Sequence, residues 1–319
     1  MKTMFCELRR SKALPRAGVF GFVFTILMAV AGIFPASTAQ SAGQKTFPSA
    51  SAAAKALVAA AQTNDTSALL NILGPGAKEI VSSGDAVEDR DNRQDFVEKY
   101  QQMHRLVIEP DGTTTLYVGA ENWPTPIPLV NKGGEWYFDT PAGKQEILYR
   151  RIGRNELAVI QVCHELVDAE KEYYATPHDG VQQYAQKLYS DPGKHNGLYW
   201  QASAGEGESP IGPFVASASA EGYSHSPCQK SEPFQGYYFR VLAGEGTSEG
   251  DAHNYIVDGK MTKGFAVLAF PAEYRSSGVM TFMVNQDDIV YEKDLGAHTT
   301  QTAPTLTRYQ LDSTWRKAD

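Results

Sequence analysis

Short apolar runs separated by turn residues fill the segment 234–296. Four of these runs predict strands, at residues 236–242, 264–271, 278–285 and 289–293. Each run is bounded by Gly, Pro, Asn or Asp, which interrupt strands and form turns. Both faces of the second run are apolar, as is typical of a central strand covered on both sides. The segment therefore predicts an antiparallel meander of four strands.

A long amphipathic helix is predicted over residues 155–174, where apolar residues recur at three- and four-residue steps. Asn155 is the expected N-cap, and breaker residues after Tyr174 end the helix. No flexible linker separates this helix from the preceding segment. We therefore expect a nearly continuous helical connection over residues 144–174 that packs against the units on both sides and covers Leu157.

The remaining pattern is shorter and less regular. Helices are predicted over residues 51–61, 68–73, 91–103 and 181–188, and strands over residues 113–118, 125–131 and 135–139. Residues 191–214 are rich in Gly, Ser and Pro and predict an ordered loop. The mixed-charge run 88–93 is interpreted as the solvated start of a helix.

Together these elements predict an α+β fold of two small antiparallel-sheet units. The first unit, residues 40–148, is expected to be a cone of helices and a curved sheet. The second unit, residues 149–319, is expected to pack the long helix on the four-stranded antiparallel meander.

Residues 1–39 have the layout of a secretory signal peptide. Five Lys or Arg residues precede an apolar run of 18 residues, and small residues follow it up to Ala39. Cleavage is expected after Ala39, which leaves no stable membrane span and exports the protein to the bacterial periplasm or beyond. The alternative is an uncleaved anchor, since the run is just long enough to span a bilayer.

The net charge of the chain limits the classes of molecule that it is expected to bind. The net charge is −8, and the 42% hydrophobic and 21% charged residues are those of an ordinary globular protein. Residues 1–39 carry five Lys or Arg and one Glu, so cleavage takes the net charge from −8 to −12. An acidic chain without a basic cluster is not expected to bind nucleic acid. Envelope proteins or glycans are the expected partners.

Two cysteines remain after this cleavage, Cys163 and Cys228. Cys163 lies on the apolar face of the long helix, as is typical of a buried free thiol, whereas Cys228 lies in a loop-like segment. An oxidising compartment permits a disulfide between them. The sequence alone does not decide between a free thiol and a disulfide, because disulfide formation depends on the distance and orientation of the two residues.

Catalytic motifs are not found in the chain. It has no nucleophile elbow, zinc-protease motif, phosphate-binding loop or dinucleotide fingerprint. His195, His225 and His253 lack metal-ligand spacing. His104 and Asp95 are the nearest acid–base candidates in the first unit, and they share no motif. No catalytic residue, cofactor or metal is therefore predicted.

Aromatic residues near the first sheet are the candidate ligand contacts. Trp123, Trp136 and Tyr137 could line a cavity on the concave face of the first unit. A cone filled solid by Phe96, Trp136 and Phe138 would remove this hypothesis.

Several segments carry resemblances to known families. The hairpin "PLVNKGGEWYFDT" resembles nuclear-transport-factor-2-like and cystatin-like cone folds. The long helix with "GYYF" and "GFAVLAFPAEYRSSGVMTFMV" is similar to the globular part of type IV pilins and pseudopilins, which implies a helix lying across a four-stranded meander. Nearly all of residues 45–317, including "PFQGYYFRVL" and the terminal "LDSTW", resembles an uncharacterised bacterial family, domain-of-unknown-function family 2950. That resemblance implies an exported protein of two α+β units, without a known activity.

Three functions remain open. The leading hypothesis is a non-enzymatic exported protein that acts through its surface as an interaction or binding module. The first alternative is a small-molecule or glycan-binding protein, or a hydrolase, that uses the concave face of the first unit. The second alternative is a pilin-like structural subunit.

Overall fold

The computed structural model describes residues 43–202, 207–221, 223, 232–246 and 252–318, and it confirms an α+β fold. The described α-helices are α1 (Ala50–Gln62), α2 (Thr66–Leu73), α3 (Lys78–Val81), α4 (Ala86–Gln102), α5 (Thr140–Ala175), α6 (Gly212–Glu221) and α7 (Thr299–Thr302). The described strands are β1 (His104–Ile108), β2 (Thr114–Val118), β3 (Trp123–Pro124), β4 (Leu129–Lys132), β5 (Glu135–Phe138), β6 (Tyr237–Leu242), β7 (Gly244–Gly246), β8 (Ala252–Asn254), β9 (Ile256–Val257), β10 (Lys260–Met261), β11 (Ala266–Pro271), β12 (Met280–Asn285), β13 (Tyr291–Asp294) and β14 (Arg316–Lys317).

Polar caps set the starts of the N-terminal helices. The side chains of Ser49 and Asp65 each accept a hydrogen bond from a first-turn amide, of α1 and α2 respectively. Both helices confirm the predictions. The third predicted helix begins earlier than residue 91, at Ala86, because Asp85 caps α4 through two amides.

The first sheet has the antiparallel order β1-β2-β4-β5, with β3 paired to β2. Strands β2 and β5 confirm the predictions. His104 follows the C-cap residue of α4 and starts β1, and its ring stacks on that of Tyr100 with 3.8 Å between ring centroids. Of the predicted strand 125–131, only the end forms β4, because three nearby prolines have no amide to donate to a ladder.

Helix α5 is one uninterrupted helix of 36 residues, which confirms the predicted helical connection over residues 144–174. Pro141 lies in its first turn, a position that tolerates the missing amide. The assignment of Asn155 as an N-cap is wrong, because this residue is fully buried in the middle of α5. The expectation that Leu157 is covered is also wrong, since its side chain is 72% exposed.

The predicted helix 181–188 is wrong, and this segment runs in an extended, irregular path beside α5. The Tyr184 amide donates to the Met261 carbonyl at 2.8 Å, and the Ala185 amide donates to the Glu170 carboxyl at 2.8 Å. These tertiary hydrogen bonds replace the helical ones and override a modest helix propensity.

The second sheet has the antiparallel order β14-β13-β12-β11-β6. Its four longer strands confirm the predicted meander, and the short β14 adds a fifth strand at one edge. Residues Ala266–Ala269 of β11 are completely buried, which confirms a central strand covered on both faces. Part of the loop predicted over residues 191–214 instead begins α6 at Gly212.

Two hydrophobic cores share α5. The first core lies between α1, α2, α4 and the first sheet, and Ile147 of α5 packs against it. The second core joins α5 from Val159 to Tyr173 with the second sheet. The described residues fall within one compact unit, residues 39–319, and the domain boundary after residue 148 stays a prediction. Among the helices described, none has the length and apolar character needed to cross a membrane.

Asp85 links the start of α4 to the C-terminal half of the chain. One carboxylate oxygen caps α4, and the other accepts hydrogen bonds from the Tyr223 hydroxyl at 2.9 Å and the Gly236 amide at 3.0 Å. Gly236 has a φ of +74°, and a Cβ there would lie 2.6 Å from Nδ2 of Asn155. Only glycine allows the backbone to approach this closely.

Asn155 forms a second link between the two cores. Its amide donates to the Glu88 carboxylate at 3.2 Å and to the Ser277 carbonyl at 3.1 Å. Glu88 and Asp89 are less than 9% exposed, so the interpretation of the run 88–93 as solvated is wrong for these two residues. Residues of α5 donate hydrogen bonds to the Glu88 carboxylate, and Ser83 in the turn before α4 donates to that of Asp89. Carboxylates that are hydrogen-bonded in this way can be buried.

Replacing Asn155 should destabilise the whole protein. We expect Asn155→Ala to lower the free energy of unfolding by about 1–3 kcal/mol, because it leaves the buried Glu88 carboxylate without one of its donors. Urea unfolding measures this change. Gln161→Ala, an exposed amide on the same helix, is the matched control and should change stability by less than about 0.5 kcal/mol. Equal stability of the two variants would contradict the link.

Glu170 is a completely buried carboxyl group in the second core. One of its oxygens accepts the Ala185 amide, and the other has no hydrogen-bond partner in the part of the chain that the structure describes. Burial raises the pKa of Glu170 well above its ordinary value of 4.5. The folded protein therefore keeps this proton at pH values where the unfolded chain has lost it.

This proton makes the stability depend on pH. Above pH 4.5 the folded state binds more protons than the unfolded state, so Glu170 lowers the free energy of unfolding as pH rises, by up to about 1.4 kcal/mol per unit, until its folded pKa is reached. Glu170→Gln should gain stability relative to wild type between pH 5 and pH 7 in urea titrations. Glu172→Gln, exposed on the same helix, should show no such trend, and a similar trend in both variants would refute the assignment.

Candidate functional site

A cavity of about 370 Å³ lies in the N-terminal half of the structure. Helices α1 to α4 form most of its wall, and α5, β5 and the segment before β4 form the rest. The alternative hypothesis of a ligand site required a cavity between these helices and the first sheet. The first core is therefore not filled solid, although Phe96 and Phe138 both contact the cavity.

Apolar side chains form one wall of the cavity. Helix α1 contributes Leu57 and Ala61, and α2 contributes Leu69 and Leu73. Each pair is four residues apart and so lies on one face of its helix. Phe138 reaches the same space from β5. The amphipathic pattern that buries these helices thus also forms the apolar wall.

Helices α4 and α5 form a second, polar wall, which carries all the charged side chains of the lining. The lining residues are Asp89, Asn92, Arg93 and Phe96 on α4, and Ile147, Arg150, Arg151 and Arg154 on α5. Both sets have the spacing i, i+3, i+4, i+7, which places all four side chains on one face of a helix. The chain carries a net charge of −8, yet this wall presents four arginines and one aspartate.

Arg151 is held rigidly in this wall. Its side chain is 6% exposed, and its guanidinium donates to the carbonyl oxygens of Glu79 and Ile80 at 2.7 Å each. Burial lowers the pKa of Arg151, and the negative charge of Asp89 opposes that effect. Burial also raises the pKa of Asp89, although the hydrogen bonds from Ser83 lower it.

The other three arginines differ in their partners. Arg154 lies 2.9 Å from the Glu88 carboxylate, and Arg150 forms an ion pair with Glu146. Arg93 instead donates to two neutral oxygens, a side-chain amide at 2.9 Å and a backbone carbonyl at 3.2 Å. The positive charge of Arg93 therefore lacks a directly bonded carboxylate among its described partners.

The segment before β4 contributes a hydrogen-bonding side chain to the cavity lining. Thr125 lines the cavity, and its hydroxyl oxygen is buried without a hydrogen-bond partner in the described structure. Gly143 of α5 packs directly on the carbonyl of Pro126, where any Cβ would clash with backbone atoms. This contact holds the segment against α5.

The three aromatic residues predicted to bind a ligand do not line this cavity. Trp123 is 45% exposed, and Lys99 and Arg150 lie over its ring at 5.3 and 5.7 Å. Trp136 packs partly buried against the first core, and Tyr137 is 2% exposed on the neighbouring position of β5. Their role in binding stays a prediction. The helical spacing of Arg150, Arg151 and Arg154, which places them on one face of α5, is the sequence pattern that could have predicted this wall.

The acid–base candidates do not form a catalytic group with each other. Asp95 pairs with Lys99 at 2.6 Å, and Nδ1 of His104 lies 2.9 Å from the Tyr100 carbonyl. Within the described ranges, no three His, Cys, Asp or Glu residues are placed to hold a metal ion.

The loop histidines lie in separate places. His195 stacks on Trp200 with 4.5 Å between ring centroids, and His253 is exposed in β8. His225 lies outside the described residues.

Cys163 is a buried free thiol in the second core, and burial raises its pKa to about 12. A thiol with so high a pKa is almost entirely protonated near neutral pH and is a poor nucleophile. Cys228 lies outside the described residues, so a disulfide between the two stays a prediction.

Comparison with known proteins identifies a family. The chain matches none of the curated proteins and none of the solved structures with which it was compared. The family model described as "Protein of unknown function (DUF2950)" matches residues 44–318. Because this match covers most of the 319 residues, the chain belongs to the DUF2950 family.

Proposed function

We propose that this protein is an exported, non-enzymatic binding module that holds an apolar small molecule in the cavity of its first core. The observation that carries the proposal is the cavity itself. Its volume of about 370 Å³ falls in the range of roughly 300–1,000 Å³ that is usual for small-molecule sites.

The composition of the wall supports a ligand site rather than a packing defect. Apolar side chains from five helices and one strand line the cavity together with a smaller number of polar side chains, as in most small-molecule sites. The unsatisfied Thr125 hydroxyl is a group that a ligand can satisfy. A hydrolase is less well supported, because the candidate acid Asp95 and base His104 are each bonded to other partners.

Export is part of the proposal and rests on the layout of residues 1–39, which lie outside the described residues. A basic stretch, an apolar run and small residues in that order are typical of a cleaved secretory leader. Envelope components, including lipids and glycans, are then the molecules that the protein meets. Neither the cone-like nor the pilin-like resemblance is needed for this function.

The mature N-terminus tests export. We expect mass spectrometry of the protein from a bacterial envelope fraction to give a chain that begins near Gln40, because the small residues up to Ala39 are typical of a cleavage site. Ala39→Arg should block cleavage and leave the protein membrane-bound. A wild-type chain that keeps its apolar run would contradict the proposal and favour the pilin-like alternative.

Filling the cavity should abolish binding of a neutral apolar dye. N-phenyl-1-naphthylamine, which fluoresces strongly in apolar surroundings, should bind the wild-type protein. Ala61→Leu should weaken this binding at least fivefold, because Ala61 is buried and faces the cavity, and added methyl groups occupy the ligand volume.

The matched control makes the same substitution on the same helix. Ala59 is exposed on α1 and does not line the cavity. Ala59→Leu should bind the dye as wild type does, and circular dichroism should show that both variants are folded. Equal dye binding by Ala61→Leu and Ala59→Leu would place the dye elsewhere, and a wild-type protein that binds no dye would refute the proposed function.

A further inference from the structure

We propose that the natural ligand is an alkyl carboxylate, with its chain in the apolar part of the cavity and its head group against the arginines of α4 and α5. This inference rests on the proposed function and adds the chemical class of the ligand. It depends on the charge balance of the polar wall, on the geometry of its donors, and on the separation of that wall from the apolar one.

The charges at the centre of the polar wall do not balance. Arg93, Arg151 and Arg154 are close enough to interact electrostatically, and so are the carboxylates of Glu88 and Asp89. Glu88 pairs with Arg154, so Arg93 and Arg151 face Asp89 as the one carboxylate on the lining, which leaves one excess positive charge there. The third buried carboxylate, Asp85, is bonded to the start of α4, to Tyr223 and to Gly236 and does not line the cavity. The pairs of Arg150 with Glu146 and of Lys144 with Glu79, further out, are each neutral.

The excess charge falls on Arg93 and Arg151. Glu88 is bonded directly to Arg154 at 2.9 Å. In the described structure the hydrogen bonds of Arg93 and Arg151 go to neutral oxygens, and both arginines share the nearby charge of Asp89. A partly buried cation without a matching anion is unfavourable. A single ligand carboxylate would compensate it, whereas a cationic ligand would add to the imbalance.

The geometry of arginine suits this head group. A guanidinium offers five N–H donors in a planar fork that matches a carboxylate. Two of the Arg151 nitrogens already donate to backbone carbonyls, and this fixes the orientation of the fork. The Thr125 hydroxyl, which has no described partner, adds a neutral donor on the lining.

The apolar wall suits an unbranched chain. Leucines and an alanine from α1 and α2 line the cavity with no charged residue among them, whereas every arginine of the lining comes from α4 or α5. Each additional buried methylene strengthens binding by roughly fourfold. A molecule with one charged end and one apolar end therefore matches the two walls of the same cavity.

Competition between ligands of equal chain length tests this inference. Dodecanoate, dodecanol and dodecyltrimethylammonium would each displace N-phenyl-1-naphthylamine from the wild-type protein, below their critical micelle concentrations. We expect dodecanoate to bind at least tenfold more tightly than the cation, a difference of about 1.4 kcal/mol, with the alcohol between them. Equal or tighter binding of the cation overturns the inference.

Variants locate the head group. Arg93→Gln should weaken dodecanoate about tenfold and weaken the dye and dodecanol by much less, so that the preference for the anion over the alcohol falls, because the anion alone interacts with this charge. Arg90→Gln is the matched control, since Arg90 is on the same helix, pairs with Asp91 and does not line the cavity. If Arg93→Gln does not fold, Arg150→Gln replaces it, with a smaller loss in the same direction.

The outcomes separate the two proposals. Failure of the wild-type protein to bind the dye refutes the binding function as a whole. Dye binding without a preference for the anion, or with the same loss in Arg93→Gln and Arg90→Gln, refutes only the carboxylate.

Discussion

The structure depends on the burial of carboxylates at the start of α4 against donors from α5 and from the C-terminal half. Asp85, Glu88 and Asp89 are each less than 9% exposed, and each accepts hydrogen bonds from partners that are fixed in the fold. Removing one partner from such a group leaves a desolvated charge, which costs much more than an ordinary contact. This requirement specifies how α4, α5 and the turn before β12 meet, whereas apolar packing alone would tolerate several arrangements.

The cavity follows from the same requirement. Arg151 and Arg154 are directed towards the carboxylates of α4 and the carbonyls of α3, so the facing surfaces of α4 and α5 are lined with charged groups. Charged groups do not interdigitate with the leucines of α1 and α2 as apolar side chains would. The first core is therefore open where the side chains of α1, α2 and β5 meet the arginines. The polar joint stabilises the fold and also leaves the space that we propose as a ligand site.

Residue patterns predicted the regular parts of this structure well. The meander, α1, α2 and the continuous α5 follow from periodicity, caps and turn residues, all of which are local signals. The errors arose where distant residues decide the outcome. Residues 181–188 form tertiary hydrogen bonds with Met261 and Glu170 instead of a helix. Glu88 is buried because it accepts a hydrogen bond from Asn155, which is 67 positions away in the sequence. The ligand-site hypothesis named exposed or sheet-bound aromatics that do not line the observed cavity, because no local pattern shows which helical faces leave a gap.

The uninterrupted course of α5 imposes a rotational constraint on the whole chain. Each residue turns the helix by about 100°, and the helix must present Arg151 and Asn155 to the first half while Val159 and Val162 enter the second core. The number of residues between the two pairs fixes the angle between the directions in which they point from the helix axis. One inserted or deleted residue there would misalign one half by more than a quarter turn, whichever half kept its position. Length variation in this family is therefore expected to be excluded from the middle of α5 and confined to the loops.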